Sequence, residues 1–161
     1  MPIRAILLAA ALLLPICGAA HAATVSSHDP TSAVSALQNA GYKAKLQKGR
    51  DGDPYIESAS SGTEIRLAFM GCTAGKDCDQ IEFIAVWDCT NQLSACVQTS
   101  AKWNESENFS HTIISGKAIA LYYHLLWDGG GMSPELFIRT FEYFAQDMSG
   151  LVDLFGTVKP E

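Results

Sequence analysis

The sequence predicts an α+β domain, with helices packed on an antiparallel sheet. Apolar and polar residues alternate along six short runs, the pattern of half-buried strands, and three longer runs carry apolar residues at helical spacing. The connections inside each group of strands are too short for the crossovers that parallel strands need. The predicted element order is therefore α-β-β-β-β-α-β-β-α, in one domain over residues 29–158.

The N-terminal segment, residues 1–22, has the features of a secretory signal peptide. After a short basic start it has an apolar run over residues 6–17, and a small-x-small pattern ends at Ala22. The run is shorter than the ~20 residues of a membrane-spanning helix. We expect cleavage between Ala22 and Ala23, giving a periplasmic or secreted protein with no stable membrane span. The alternatives are a retained anchor and lipidation of Cys17.

The charge of the mature chain restricts its partners. Cleavage removes Arg4 and no acid, which leaves 10 of the 11 Lys and Arg against 17 Asp and Glu, a net charge of −7 with His neutral. Nucleic acids and anionic lipids need basic patches, so both are disfavoured. The basic residues of segment 43–50 are followed at once by Asp51, Asp53 and Glu57, which indicates a solvated hairpin of mixed charge.

Local signals place the first helix and four strands. Residues 23–28 have no periodicity and are expected to form a flexible tail. Asp29-Pro30 combines an N-cap with proline at the first helical position, and Gly41 ends that helix. Alternation and turn residues then predict four strands, at 42–47, 55–59, 64–70 and 81–87.

The second half predicts two helices and two strands. A helix from Leu93 to about Glu105 would carry Leu93, Val97 and Ala101 on its apolar face, followed by Trp103 or Asn104. Two strands follow, at 109–114 and 117–127. The turn and helix cap before the last helix comprise Asp128, Gly129, Gly130, Gly131 and Ser133. The last helix has an apolar stripe that we expect to be core: Phe137, Phe141, Phe144, Met148, Leu151 and Phe155.

Four cysteines remain in the mature chain: Cys72, Cys78, Cys89 and Cys96. An even number in an exported chain predicts disulfides, of which three pairings exist. Zinc and redox catalysis are the alternatives, but both favour closely spaced Cys-x2-Cys pairs. If segment 68–70 pairs with 80–82, Cys72 and Cys78 face each other at about the 5.5 Å Cα separation of a disulfide. The favoured pairs are therefore Cys72–Cys78 and Cys89–Cys96.

Four pieces of the sequence together resemble one family. They are "SALQNAGYKAKL", "GCTAGKDCDQIEF", Trp103-Asn104 ahead of Phe109, and "LWDGGGMSPELF". In this order they resemble the YbjN-domain proteins, a bacterial sensory transduction regulator family, and in particular its small exported members. The resemblance implies a fold like that of type III secretion chaperones, with helices flanking a strongly curved antiparallel sheet, and no known enzymatic activity. Cys89 and Cys96 depart from the family pattern.

No catalytic motif stands out. His124, Asp128 and Ser133 can be drawn as a triad, but Ser133 has a capping role and no Gly-x-Ser-x-Gly surrounds it. We predict a non-catalytic protein without cofactor or metal, a regulator or chaperone-like module of the cell envelope. It would bind a protein or peptide partner and is also expected to form a homodimer. The alternative is an enzyme or small-ligand-binding protein with a pocket near His124, Asp128 and Gly129–Gly131.

Overall fold

The computed structural model describes residues 24–126 and 130–157, which form three helices and six strands. Their bounds are α1 Pro30–Asn39, β1 Ala44–Lys48, β2 Pro54–Ser60, β3 Thr63–Met70, β4 Gln80–Asp88, α2 Leu93–Ser106, β5 His111–Ser115, β6 Ala118–Leu126 and α3 Pro134–Thr157. The predicted signal peptide, its cleavage site at Ala22 and Ala23, Cys17, Asp128 and Gly129 lie outside the described residues.

The six strands form one antiparallel sheet in the order β1-β2-β3-β4-β6-β5. The first four strands follow one another across the sheet, and the β5–β6 hairpin joins β4 through β6. The predicted α+β class and element order are confirmed. Strand bounds differ from the prediction by one or two residues, because alternation does not show where the ladder of hydrogen bonds stops.

All three helices pack on one face of this sheet. Alternate side chains of the central strands are buried, Leu67 and Phe83 completely, and they share one core with Leu37 of α1 and Trp103 of α2. The apolar stripe of α3 is core, as predicted, with Phe155 partly buried: Phe137, Phe141, Phe144, Met148 and Leu151. We call the opposite side of the sheet, which no described helix covers, the open face.

The end of α1 explains why β1 begins later than predicted. The side chain of Asp29 caps the start of α1 by accepting the Thr31 N–H. At the other end the Tyr42 N–H donates to the Leu37 carbonyl at 2.9 Å, so Tyr42 still belongs to the helix end. Gly41 has a φ of +89°, a conformation that glycine adopts at low cost. The strand therefore begins at Ala44 and not at Tyr42.

The segment preceding α1 corrects the expectation of a flexible tail. Val25 is 1% exposed and belongs to the core, and Ser27 is also buried. Val25 and Met132 exchange two backbone hydrogen bonds of 2.9 Å, which tie this segment to the start of α3. Gly131 fits this contact, because a Cβ at that position would lie 2.5 Å from the Val25 carbonyl oxygen. The predicted tail is therefore part of the folded domain over residues 24–28.

Helix α2 also differs from the prediction, because the expected apolar face is turned outward. Leu93 is 40% exposed and Val97 is 49% exposed. The buried face consists of smaller and more polar side chains together with Trp103: Ala95, Cys96, Thr99 and Ser100. Polar contacts account for part of this orientation, since the hydroxyls of Ser100 and Thr112 lie 2.8 Å apart in the buried interface with β5.

Both favoured cysteine pairs are disulfides in the structure. Cys72 and Cys78 close the β3–β4 turn with a Cα separation of 3.9 Å, shorter than the expected value. The register that motivated this pairing is present, with Met70 opposite Gln80. Cys89–Cys96 joins the end of β4 to the first turn of α2, and both of its cysteines are buried.

Candidate functional site

The open face of the sheet exposes several large apolar side chains. Met70, Val86, Ile113 and Leu126 are 42%, 56%, 47% and 80% exposed, and Ile84 is partly buried among them. The register places Val86 and Ile113 on the two sides of Ala120. An apolar surface of this kind on an uncovered sheet face is typical of an interaction site.

A cluster of ring side chains lies in the same face. His111 of β5 is directly opposite Tyr122 of β6, and His124 follows two residues later on the same side of β6. The imidazole rings of His111 and His124 stack at 5.2 Å between centroids, and His111 stacks on Tyr122 at 5.6 Å. Glu82 of β4 is paired in register with His124, and its Oε1 lies 3.2 Å from His124 Nδ1. We call Glu82, His111, Tyr122 and His124 the histidine cluster.

Burial and charge act together on His111. Partial burial lowers the pKa of His111 from its usual value of 6.5, and the nearby His124 lowers that pKa further, while Glu82 opposes both effects. The folded protein therefore favours the neutral form of His111. The pKa of His111 is lower in the folded than in the unfolded state. The folded state therefore loses stability as the pH falls below the pKa that His111 has in the unfolded chain.

We expect His111→Phe to reduce the loss of stability on acidification, because phenylalanine keeps a stacked ring and removes the proton. The effect should develop between about pH 7 and pH 5, as the unfolded-state histidine begins to titrate. The measurement is the urea midpoint at a series of pH values. Equal slopes for His111→Phe and wild type would contradict this role.

The Trp103-Asn104 motif holds in place the strand that carries His111. The Asn104 side chain receives the Thr112 N–H at 2.8 Å and donates to the Thr112 carbonyl at 3.0 Å. Trp103 Nε1 donates to Ser110 Oγ at 3.2 Å. These bonds hold β5 against α2 and so fix the strand that carries His111 and Ile113. The motif thus positions one border of the open face.

The alternative site near the glycine turn has weaker support. Ser133 Oγ accepts the Leu136 N–H at 3.2 Å, which is the predicted capping role. His124 contacts Glu82 instead, and Asp128 and Gly129 lie outside the described residues. Gly130 and Gly131 precede α3, and Gly131 has a φ of +69°.

A small apolar cavity lies elsewhere, beside the buried disulfide. It has a volume of about 200 Å³ and is lined mainly by apolar side chains, among them Trp87, Cys96, Leu151 and Phe155.

In the described part of the chain no group of three or more His, Cys, Asp or Glu is placed to hold a metal. Likewise, none of the helices in residues 24–126 and 130–157 has the length and apolar character to cross a membrane.

A family model matches most of the sequence that forms this domain. The YbjN model, described as "Putative bacterial sensory transduction regulator", matches residues 34–157, more than three quarters of the chain. The match begins inside α1 and ends at the last residue of α3, so it includes the whole sheet. A search of curated proteins found no match. The chain belongs to the YbjN family.

Proposed function

We propose that this protein is a non-catalytic regulator of the cell envelope that binds a protein partner through the open face. The observation that carries the proposal is the set of exposed apolar side chains on the uncovered side of the sheet, Val86 and Ile113 above all. Family membership supports a regulator-like role, because the YbjN family is described as a regulator and is not a known enzyme family.

The chemistry of the open face favours an amphipathic partner surface. Val86 and Ile113 offer apolar contact area near its β5 side, and the histidine cluster next to them offers hydrogen-bonding nitrogens and the carboxylate of Glu82. An apolar centre beside polar groups is the usual composition of a protein interface. The net charge of −6 for the full chain disfavours nucleic acids and anionic membranes as partners.

An extracytoplasmic location is part of the proposal. The two disulfides are consistent with it, because such bonds persist in oxidising compartments and are rare in the cytosol. The signal peptide predicted for residues 1–22 would supply the export step. Mass spectrometry of the protein recovered from the periplasm should show a chain that begins at Ala23. A full-length chain confined to the cytosol would contradict the proposed location.

We expect Val86→Glu to weaken partner binding, because it introduces a charge into the apolar surface. The measurement begins with capture from envelope extract under non-reducing conditions. The captured protein is then purified, and its Kd for each variant is determined. A loss of at least about tenfold, or 1.4 kcal/mol, is expected for Val86→Glu.

Val97→Glu is the matched control, because it makes the same change at a valine of similar exposure on α2. It should bind the partner as the wild type does. Equal weakening by the two variants, or loss only with Val97→Glu, would contradict a site on the open face. Failure of the wild-type protein to retain any protein in repeated captures would count against the binding function itself.

A further inference from the structure

The two edge strands of the sheet are closed to different extents. An edge strand presents unpaired N–H and C=O groups to which another chain can add. On β5, the Asn104 side chain occupies both backbone groups of Thr112, the second residue of this five-residue strand. A side chain of the protein thus takes the place that an added strand would need there. On β1, by contrast, the outward-facing backbone N–H and C=O groups are covered only near Ala44, where the strand begins.

The hydrogen-bond pattern shows which groups of β1 face outward. The Gly49 N–H donates to the Asp53 carbonyl at 2.8 Å, so this pair is bonded across the β1–β2 hairpin. In an antiparallel ladder bonded and non-bonded pairs alternate. Gln47 therefore directs its backbone groups toward β2, whereas Leu46 and Lys48 direct theirs away from the sheet.

Two further observations agree with this assignment. Pro54, the residue opposite Lys48, has no N–H to donate across the hairpin. The Ala44 carbonyl, two residues before Leu46, accepts a bond of 2.9 Å from Gln38 Nε2 on α1 and so also faces outward. Helix α1 therefore covers the start of the edge. Among residues 24–126 and 130–157, no hydrogen-bond partner occupies the outward N–H and C=O groups of Leu46 and Lys48, and the Leu46 side chain is 37% exposed.

This open edge is basic, in contrast to the acidic chain as a whole. Four basic residues lie in or beside β1: Lys43, Lys45, Lys48 and Arg50. In the described ranges both ion pairs within 4.0 Å come from histidines, so none of these cations is neutralised by a close carboxylate. The adjacent acids are engaged otherwise: Asp51 accepts the Asp53 N–H, and Glu57 accepts a bond from Gln47 Nε2. The hairpin thus has mixed charge, as predicted, but its basic side chains have no carboxylate of the described residues within 4.0 Å.

The two sides of β1 offer different surroundings to an added strand. On the side covered by the helices, Leu46, Pro54 and the Lys48 side chain line a groove of about 440 Å³ that is bounded by Gly75 of the β3–β4 loop. On the side of the open face, Lys45 lies opposite Glu57, and beyond them the Arg66 guanidinium lies 3.9 Å above the centre of the Tyr55 ring. Because side chains of a strand alternate between the two sides, the matching segment has apolar residues alternating with acidic ones.

We propose that the edge of β1 binds, as an added strand, an extended segment of another protein in which apolar and acidic residues alternate. The backbone groups of Leu46 and Lys48 supply the pairing, and the basic residues select the acidic side chains. A second copy of this chain fits poorly, because pairing two β1 edges would bring two basic clusters together. This surface is distinct from the open face, so the proposal can fail while the proposed function stands, and the reverse also holds.

The test uses synthetic peptides as probes with the mature, disulfide-bonded protein. The binding peptide is a short blocked chain of alternating valine and glutamate. Its controls replace glutamate by lysine, or carry N-methyl groups on the amides that would pair with β1. We expect the glutamate peptide to bind with a Kd below about 1 mM at low ionic strength and to weaken with added salt. Both control peptides should bind at least about tenfold more weakly.

Variants locate the binding on the protein. Leu46→Pro removes an outward N–H and no β1–β2 ladder bond, so it should fold and lose the peptide. Should that variant not fold, Lys43→Glu with Lys45→Glu reverses the charge on the side of the open face and should weaken binding at least about tenfold. Lys102→Glu with Lys117→Glu makes the same change in net charge elsewhere and should bind as the wild type. Hydrogen exchange should show new protection at the amides of Leu46 and Lys48.

Several results would overturn the proposal. Absence of binding by the glutamate peptide, or equal binding of the glutamate and lysine peptides, would rule out the stated chemistry. New protection on β5 in place of β1 would assign the wrong edge. Self-association of the wild-type protein that Leu46→Pro abolishes would show that the occupant is a second copy of the chain.

Discussion

Phe83→Ala is expected to lower the free energy of unfolding by about 3–5 kcal/mol, the usual cost of removing a buried phenyl ring. Phe83 is 0% exposed at the centre of the sheet. Its ring centroid lies 5.7–6.3 Å from four other rings, those of Tyr123, Phe137, Phe141 and Phe144. It therefore joins β4 to three phenylalanines of α3.

The matched control for this prediction is Phe109→Ala. Phe109 is 80% exposed just before β5, so the same chemical change should alter the free energy of unfolding by about 0.5 kcal/mol or less. Urea denaturation of both variants, with equal m-values, measures the difference. Similar costs for Phe83→Ala and Phe109→Ala would contradict the packing described for α3 on the sheet.

Removal of both disulfides is expected to have an effect of similar size. The paired cysteines are 6 and 7 residues apart, and loops of this length contribute about 2–2.5 kcal/mol each in the chain-entropy model. Replacement of all four cysteines by alanine should therefore cost on the order of 4–5 kcal/mol, if the two loops contribute independently. Alanine is preferred to serine because Cys78, Cys89 and Cys96 are buried.

The contributions of the two disulfides to the free energy of unfolding can be measured separately. Cys72→Ala with Cys78→Ala and Cys89→Ala with Cys96→Ala should each lose about half of the total, measured by urea denaturation. A reductant should lower the midpoint of the wild type and leave the four-alanine variant unchanged. A reductant-insensitive wild type, or four alkylatable thiols in the exported protein, would contradict both the disulfides and the location that they support.

The parts of the fold that depend on local periodicity were predictable. Helix α3 carries apolar residues at spacings of four and three from Phe137 to Phe155, and these residues lie in or against the core. The β3–β4 hairpin was also predictable, because Cys72 and Cys78 flank its turn. In both cases the residues that determine the structure are close in the sequence.

The parts that depend on distant partners were not predictable. Helix α2 buries Thr99 and Ser100 in place of Leu93 and Val97, since its orientation depends on contacts with β5 and α3 that no hydropathy pattern contains. Val25 appeared to belong to a loose tail because its bonding partner, Met132, is more than a hundred residues away. Both interactions join segments that are remote in the sequence, so patterns among neighbouring residues do not contain them.

The candidate site falls between these two cases. His111 and His124 fall within the two strands predicted at 109–114 and 117–127, but their contact follows from the β5–β6 register, in which His111 lies opposite Tyr122. Only two residues separate these predicted strands, so the register was accessible in principle. The exposure of Val86 was not accessible, because it required knowing that every helix packs on the other face of the sheet.

Site-specific photo-crosslinking in the cell envelope is the most direct test of whether a protein partner binds through the open face. A photoreactive amino acid would replace Val86 or Ile113 on the open face, and Val97 on α2 as the matched control. We expect an adduct of one defined larger mass from both open-face positions and none from Val97. Adducts from Val97 alone, or no ultraviolet-dependent adduct from either open-face position, would contradict partner binding through the open face.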